Sequence, residues 1–206
     1  MSTSIGPFEL RVELRPMTRD DFRLLAIWLR APHVEAWFPW VHGPEEAVEA
    51  VEAVEFEYGP CVDGLDPTEL FVIEHEAAPV GFIQRYRVSD NPTWAAALAP
   101  ALDATAAVGF DYAIGVLEAT RRGIGSAAIR QLAVDTFDRY PDIDSVVVAV
   151  QQANRPSWRA LERVGFERHW AGRLESSDPS DAGPSYVYVL WRARARGSTA
   201  RSGGLA

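Results

Sequence analysis

The chain has 206 residues, 48% of them apolar and 24% charged, which is enough for one globular domain with its own core. The net charge of −9 disfavours nucleic acid and anionic membranes as partners, and it favours cationic ones or simply keeps the protein soluble. Cys61 is the only cysteine and every basic residue is an arginine, which excludes an internal disulfide, a thiolate metal cluster, lysine Schiff-base chemistry and a Walker phosphate loop.

The segment FELRVELRPM alternates apolar and polar residues and predicts a first strand. Thr18 is placed to cap a helix carrying Phe22, Leu25, Ile27 and Leu29, which Pro32 ends. HVEAWFPWVHGPEE reads as a loop or short helix. Pro44 then heads a helix whose apolar stripe is Val48, Val51, Val54 and Tyr58, with the glutamates mostly opposite. ELFVIEHEAAPVGFIQRYRV predicts two strands with a turn near Ala78 and Pro79. Residues 89–105 read as an irregular insertion with one short helical turn. AAVGFDYAIGV predicts a strand, RRGIGSAAIRQLAVDTFDRY a glycine turn into a helix, and DSVVVAVQQ a buried strand. NRPSWRALERVG is a short helix closed by Gly165, and the last strands begin at Phe166 and at SYVYVLWR. The tail from residue 193 is polar and is expected to be flexible. One α/β domain over residues 1–192 follows, with a mixed sheet rather than a doubly wound parallel one.

The N-terminus lacks a basic stretch followed by an apolar one, and no apolar run reaches the roughly 18 residues of a membrane span, so a cytoplasmic protein is expected. His33, His42, His75 and His169 have no metal-ligand spacing, and no metal is expected.

The sharpest feature is TRRGIGSAAIR, from Thr120 to Arg130, between a strand and a helix. Such a turn leaves backbone N–H groups unpaired at a helix N-terminus, where the dipole adds positive charge, and phosphate is the natural occupant. Gly123 and Gly125 let the backbone approach a ligand. Arg121 and Arg122 add full charge. A dinucleotide fingerprint needs a third glycine where Ala128 stands. A plain glycine turn before an amphipathic helix is the alternative.

With Arg121, Arg122, Gly123, Ile124 and Gly125 at this turn, the chain resembles the GNAT family of acyl-CoA N-acyltransferases. Thr120 departs from the Arg or Gln usual at the first position. A second landmark follows the strand DSVVVAV: Asn154, Ser157, Leu161, Arg163, Gly165 and Phe166. The resemblance implies a single-domain GNAT fold, mixed and mostly antiparallel with helices on both faces, and acetyl-CoA as co-substrate. Its diphosphate would lie on Arg121, Arg122, Gly123, Ile124, Gly125 and Ser126, and its pantetheine arm along Asn154 and Ser157. A backbone N–H between Ile114 and Val116 would stabilise the oxyanion, and this strand would have to splay from its neighbour.

Within the family the chain is most similar to aminoglycoside 6′-N-acetyltransferases, through Trp28, Leu29, His33, Val34, Glu35 and Trp37, through Pro79 to Gln84 with Tyr86, and through Gly109, Phe110 and Asp111. The resemblance implies a cationic amine as acceptor, facing Asp111, with Trp37, Gln84, Tyr86, Trp94 and Asp181 around it. Two features depart from the relatives. Leu161 stands where many GNAT enzymes place a tyrosine that protonates the thiolate, and Ala149 stands where the close relatives carry aspartate.

Bound alkylamines are mostly protonated at neutral pH, so a proton acceptor is needed. Asp111 serves as that base, or holds the ammonium, or is a strand carboxylate paired with an arginine. Trp37 and Trp40 form the acceptor wall or belong to the core. Tyr112 is expected on the opposite side of the strand from Asp111. The competing functions are an acyltransferase for a siderophore precursor or a protein N-terminus, and a non-catalytic sensor of acyl-CoA or aminoglycoside. A monomer or a homodimer fits equally.

Overall fold

The structure is a computed structural model and describes residues 10–39 and 47–193, with the side chains of 47–49 left out; Trp40, His42, Pro44 and the tail from residue 194 lie outside the described residues. Seven strands form one sheet: β1 (Val12–Pro16), β2 (Glu69–His75), β3 (Ala78–Arg87), β4 (Ala107–Ile114), β5 (Ser145–Gln151), β6 (Glu167–Arg173) and β7 (Pro184–Trp191), in the order β1-β2-β3-β4-β5-β7-β6. Only β4 and β5 run parallel; every other neighbouring pair is antiparallel. The α-helices are α1 (Phe22–Leu29), α2 (Pro32–Glu35), α3 (Ala47–Val62), α4 (Pro92–Leu98), α5 (Ile124–Arg139) and α6 (Arg155–Val164). None of the described helices is long and apolar enough to cross a membrane.

The period of two along the strands divides the core between the sheet's faces. On β5, Val146, Val148 and Val150 pack with α5 and α6, through Ile129, Leu132 and Leu161. Val147 faces the other way, against Leu98 of α4. On that same second face, α1 and α3 bury Phe22, Leu25, Leu29 and Val54 over Val72 and Phe82. Burying each such side chain contributes roughly 1.5–3 kcal/mol before entropy is counted. The sheet is therefore a mixed α/β layer with helices on both faces.

Four local expectations shift. The β2–β3 turn is Glu76–Ala77, both with positive φ (53° and 62°), as a two-residue hairpin requires. Pro79 instead lies in β3 opposite Glu74, at a register irregularity that tolerates its missing N–H. On α1, Ile27 is 59% exposed and Trp28 only 2%, because Leu25, Trp28 and Leu29 share the buried stripe. The 89–105 stretch is more ordered than expected: Asn91 caps α4 by accepting from Trp94 N at 3.1 Å, with Pro92 opening the helix. Helix α3 runs on past Tyr58 through Pro60 to Val62.

Candidate active site

The parallel pairing of β4 and β5 is short. It comprises Ala107↔Ser145, Val108↔Val146 and Gly109↔Val147, although β4 continues to Ile114 and β5 to Gln151. Beyond Gly109 the two strands diverge, and β4 keeps its ladder with β3 alone. At its end Gly115 N and Val116 N both donate to Val80 O, at 2.9 and 3.1 Å, the pattern of a bulge. In an antiparallel ladder the inward and outward backbone groups alternate. With Gly115 bonded towards β3, the N–H groups of Tyr112 and Ile114 face the gap.

A cleft of about 1460 Å³ runs through this gap. Pockets for one small ligand hold roughly 300–1,000 Å³, so this cleft is larger than a site for a single small ligand. Its charge is divided. Arg121, Arg155, Arg159 and Arg163 line the half formed by α5 and α6; Glu57, Asp66, Asp90, Asp111, Asp178 and Asp181 line the other. Arg87 also reaches the acidic half, but Asp142 holds it at 2.6 Å.

The basic half is built on the glycine turn. Arg121 has φ 59° and Gly123 φ 88°, and Gly123 caps α5. The first helical bond is Ala127 N to Gly123 O at 3.0 Å, which leaves the N–H groups of Ile124, Gly125 and Ser126 without intrahelical acceptors. A left-handed residue followed by a right-handed one makes a concave anion site. A Cβ added at Gly125 would meet only Ile114 Cγ1, at 3.8 Å, so the protein's own packing does not demand glycine there. The bare position keeps the turn open towards the cleft, and a diphosphate fits it. Across the gap Asn154 caps α6, accepting from Ser157 N at 3.3 Å. Ser157 Oγ lies 2.7 Å from the Tyr112 hydroxyl.

The acidic half centres on Asp111. Gln84 lies opposite it in the β3–β4 register and donates from Nε2 to Asp111 Oδ2 at 2.9 Å. Tyr86 lies opposite Gly109, and a Cβ there would meet the Tyr86 ring at 2.5 Å; the glycine makes room for the ring beside Asp111. Burial pushes the Asp111 carboxyl up to about 6, partly offset by the Gln84 hydrogen bond and reinforced by Asp181. Burial also raises Asp181 from its ordinary range, with Asp178 adding to the shift.

Of the residues singled out in the sequence, Trp37, Gln84, Tyr86, Trp94, Asp111, Ile114, Arg121, Gly123, Gly125, Ser126, Asn154, Ser157 and Asp181 line the cleft. Val116, Arg122 and Ile124 do not. Val116's N–H is spent on Val80, which removes it as an oxyanion donor. The Arg122 guanidinium lies 3.5 Å from His75 Nε2, on the sheet's β1–β2 side. The Ile124 side chain is fully buried core, so only its backbone N–H remains for a ligand. Asp111 is paired with Gln84 and is not in any arginine ion pair among the described residues.

Sequence reasoning names His33 in the family resemblance but misses its contact: its Nε2 donates to Ile114 O at 2.9 Å and ties α2 to the end of β4. It also missed Tyr112 as a lining residue. Tyr112 does point away from Asp111, and that side is the basic half of the same cleft.

A family model described as an acetyltransferase (GNAT) domain matches residues 11–167. The chain is 26% identical over 183 residues to an aminoglycoside N(6′)-acetyltransferase type 1 of Klebsiella pneumoniae, covering 88% of this chain and 83% of that protein. Among solved structures, the aminoglycoside acetyltransferase AAC(6′)-Ib in complex with coenzyme A superposes with a TM-score of 0.72 at 24% identity, covering 92% of this chain and 99% of that one. RimL, a ribosomal L7/L12 α-N-protein acetyltransferase, superposes at 0.66 with 14% identity, over 90% and 96% of the two chains. These two likenesses establish the shared fold. With the family model spanning most of the chain and a split β4–β5 edge leading into a glycine-turn anion site, the chain belongs to the GNAT acetyltransferases and is an N-acetyltransferase.

Proposed function

We propose that the protein transfers the acetyl group of acetyl-CoA to a primary amine of a polycationic small molecule, and that this acceptor is the 6′-amine of an aminoglycoside. The observation that carries the reading is the division of charge across one cleft, arginines and free N–H groups on one half and carboxylates around Asp111 on the other. The arginine half suits the phosphates of the donor. The carboxylate half suits an ammonium-rich acceptor. The curated relatives named aminoglycoside N(6′)-acetyltransferase support that acceptor.

The chemistry follows from position. The strand gap admits the pantetheine arm and brings the thioester carbonyl against the outward N–H groups of Tyr112 and Ile114, which stabilise the developing oxyanion. Asp111, ionised above about pH 6, accepts a proton from the bound ammonium directly or through a water. Gln84 and Tyr86 hold the carboxylate in place.

The test is thiol release from acetyl-CoA with kanamycin, tobramycin, a lysine-type hydroxylamine and N-terminal peptides as acceptors. Turnover with the aminoglycosides, lost on Asp111→Ala, is the expected result. Turnover only with the peptides or the hydroxylamine refutes the acceptor. Single-turnover mixing that releases no thiol with any amine refutes catalysis.

A further inference from the structure

Acetyl transfer from a thioester ends with a sulfur that has gained an electron pair and needs a proton. Leu161 offers none: it is fully buried in the core and carries no polar atom. The hydroxyls along the cleft are otherwise engaged or on the wrong half. Thr120 Oγ1 donates to Leu117 O at 2.7 Å, and Ser126 Oγ to Ala160 O at 3.4 Å. Tyr86 stands with Asp111 on the acceptor half. Tyr112 remains. It follows Asp111 on the splayed part of β4, so strand alternation sends the two side chains to opposite faces. One strand thus presents a carboxylate to the acidic half of the cleft and an O–H to the basic half, with the open edge of β4 between them. The Tyr112 hydroxyl is fixed on the donor side by Ser157, whose Oγ lies 2.7 Å away and whose backbone O accepts from it at 3.4 Å, at the first turn of α6, beside Asn154.

We propose that Tyr112 is the proton donor to the departing coenzyme A thiolate, with Ser157 as the positioning residue for its hydroxyl. The proposal rests on the acetyl-transfer reading above, but on neither the acceptor's identity nor the role of Asp111. The ammonium first loses one proton to Asp111, which passes it to water and is ionised again. The amine nitrogen then bonds to the acetyl carbon, and the nitrogen's surplus proton passes to Asp111. The C–S bond breaks with its electron pair moving to sulfur, and sulfur takes the Tyr112 proton. The phenolate recovers a proton from water by way of Ser157, and Asp111 releases its proton to water. The sum is ammonium plus thioester giving amide, thiol and one proton.

Burial raises the Tyr112 phenol, so it stays an O–H donor throughout the working pH range. A phenol is a weaker acid than a thiol in water, at about 10 against about 8.5. The transfer therefore accompanies C–S cleavage, in a site where the desolvated thiolate is more basic than in water.

The test compares wild type, Tyr112→Phe and Ser157→Ala in two measurements. In steady state with saturating amine, Tyr112→Phe is expected to lower kcat about 100-fold, with KM for acetyl-CoA within about twofold of wild type. Ser157→Ala is expected to lower kcat about tenfold, which is the smaller effect of a misaimed donor. The second measurement follows the ultraviolet absorbance of the thiolate of bound coenzyme A against pH. Loss of the tyrosine hydrogen bond is expected to raise the thiol's titration midpoint by about one unit. A merely structural tyrosine would not move that midpoint. Unchanged kcat in Tyr112→Phe overturns the proposal, as does a kcat loss with an unmoved midpoint. If Tyr112→Phe does not fold, an unmoved midpoint in Ser157→Ala overturns it. The titration needs no acceptor: no turnover with any amine, together with a shifted midpoint, refutes the proposed function and supports Tyr112 at the sulfur.

Discussion

Gln84 and Asp111 face each other across the antiparallel pair β3–β4, and Gln84 Nε2 donates to Asp111 Oδ2 at 2.9 Å. The bond steadies the ionised carboxylate against a burial that favours the neutral acid. With Asp111 pushed up to about 6, kcat/KM is expected to fall about tenfold per pH unit below that point and to level off above it. Gln84→Leu removes an interaction that lowers the value. The acid limb should then move upward, by up to about one unit. A pH–rate profile with an aminoglycoside acceptor measures both. An acid limb near pH 4 in the wild type refutes the upward shift that burial gives Asp111.

The same burial makes Asp111 a cost to the fold. Its folded value lies above that of the unfolded chain, so folding favours the protonated form. The favourable contribution is complete below the unfolded value of about 3.9 and is lost as pH rises through about 6. Asp111→Asn keeps the shape and removes the charge. It should stabilise the protein by about 1–3 kcal/mol at pH 7.5, with the gain shrinking below pH 6 and gone near pH 4. Activity should fall by about 10²–10⁴ in the same variant. Urea unfolding at three pH values, with acetyl transfer at pH 7.5, tests the two opposite effects together.

Gly115 is held to glycine by a side chain distant in sequence. A Cβ there would meet Trp28 Cγ at 2.0 Å, and Trp28 is 2% exposed within the α1 core. Gly115→Ala should destabilise by about 1–3 kcal/mol through overpacking. Because Gly115 is in the bulge that ends β4, kcat should fall as well. Trp28→Leu on that background should recover part of the loss, although alone it is destabilising. A double-mutant cycle in urea that shows no coupling between the two positions refutes the clash.

Much of this molecule is legible in local sequence. Strands with a continuous apolar run, such as the valines of β5, announce themselves because both faces of the sheet are covered. Gly123 announces the anion turn because few other residues suit its φ of 88°, and Gly125 because a bare position keeps the turn open. What local pattern hides is direction. Arg121 and Arg122 are equivalent on paper, but only Arg121 lines the cleft; Arg122 goes to His75. Val116 was indistinguishable from Ile114 until the bulge committed its N–H to Val80. The Glu76–Ala77 turn was hidden because neither residue is the glycine or asparagine that normally marks positive φ. Strand alternation puts Tyr112 on the side of β4 opposite Asp111, but nothing in the sequence says that β5 withdraws there and exposes that side. His33 has no partner within reach along the chain; its acceptor is a carbonyl on β4, brought near only by the tertiary fold.

That His33 contact yields a test of how the strand end is held. Its Nε2–H donates to Ile114 O at 2.9 Å, and Ile114 is where β4 has lost β5 and keeps only β3. Without the bond, the segment that orients the outward N–H of Ile114 loses an anchor on its free side. His33→Ala should lower kcat by roughly 5–30-fold, the equivalent of one hydrogen bond of about 1–2 kcal/mol, with little change in stability. The pH dependence separates this from a proton-transfer role. The anchor donates a hydrogen bond and transfers no proton. The acid limb should therefore stay near 6 in His33→Ala, set by Asp111 alone. A limb that disappears or moves in this variant would make His33 a titrating participant and would displace the anchoring role argued for it.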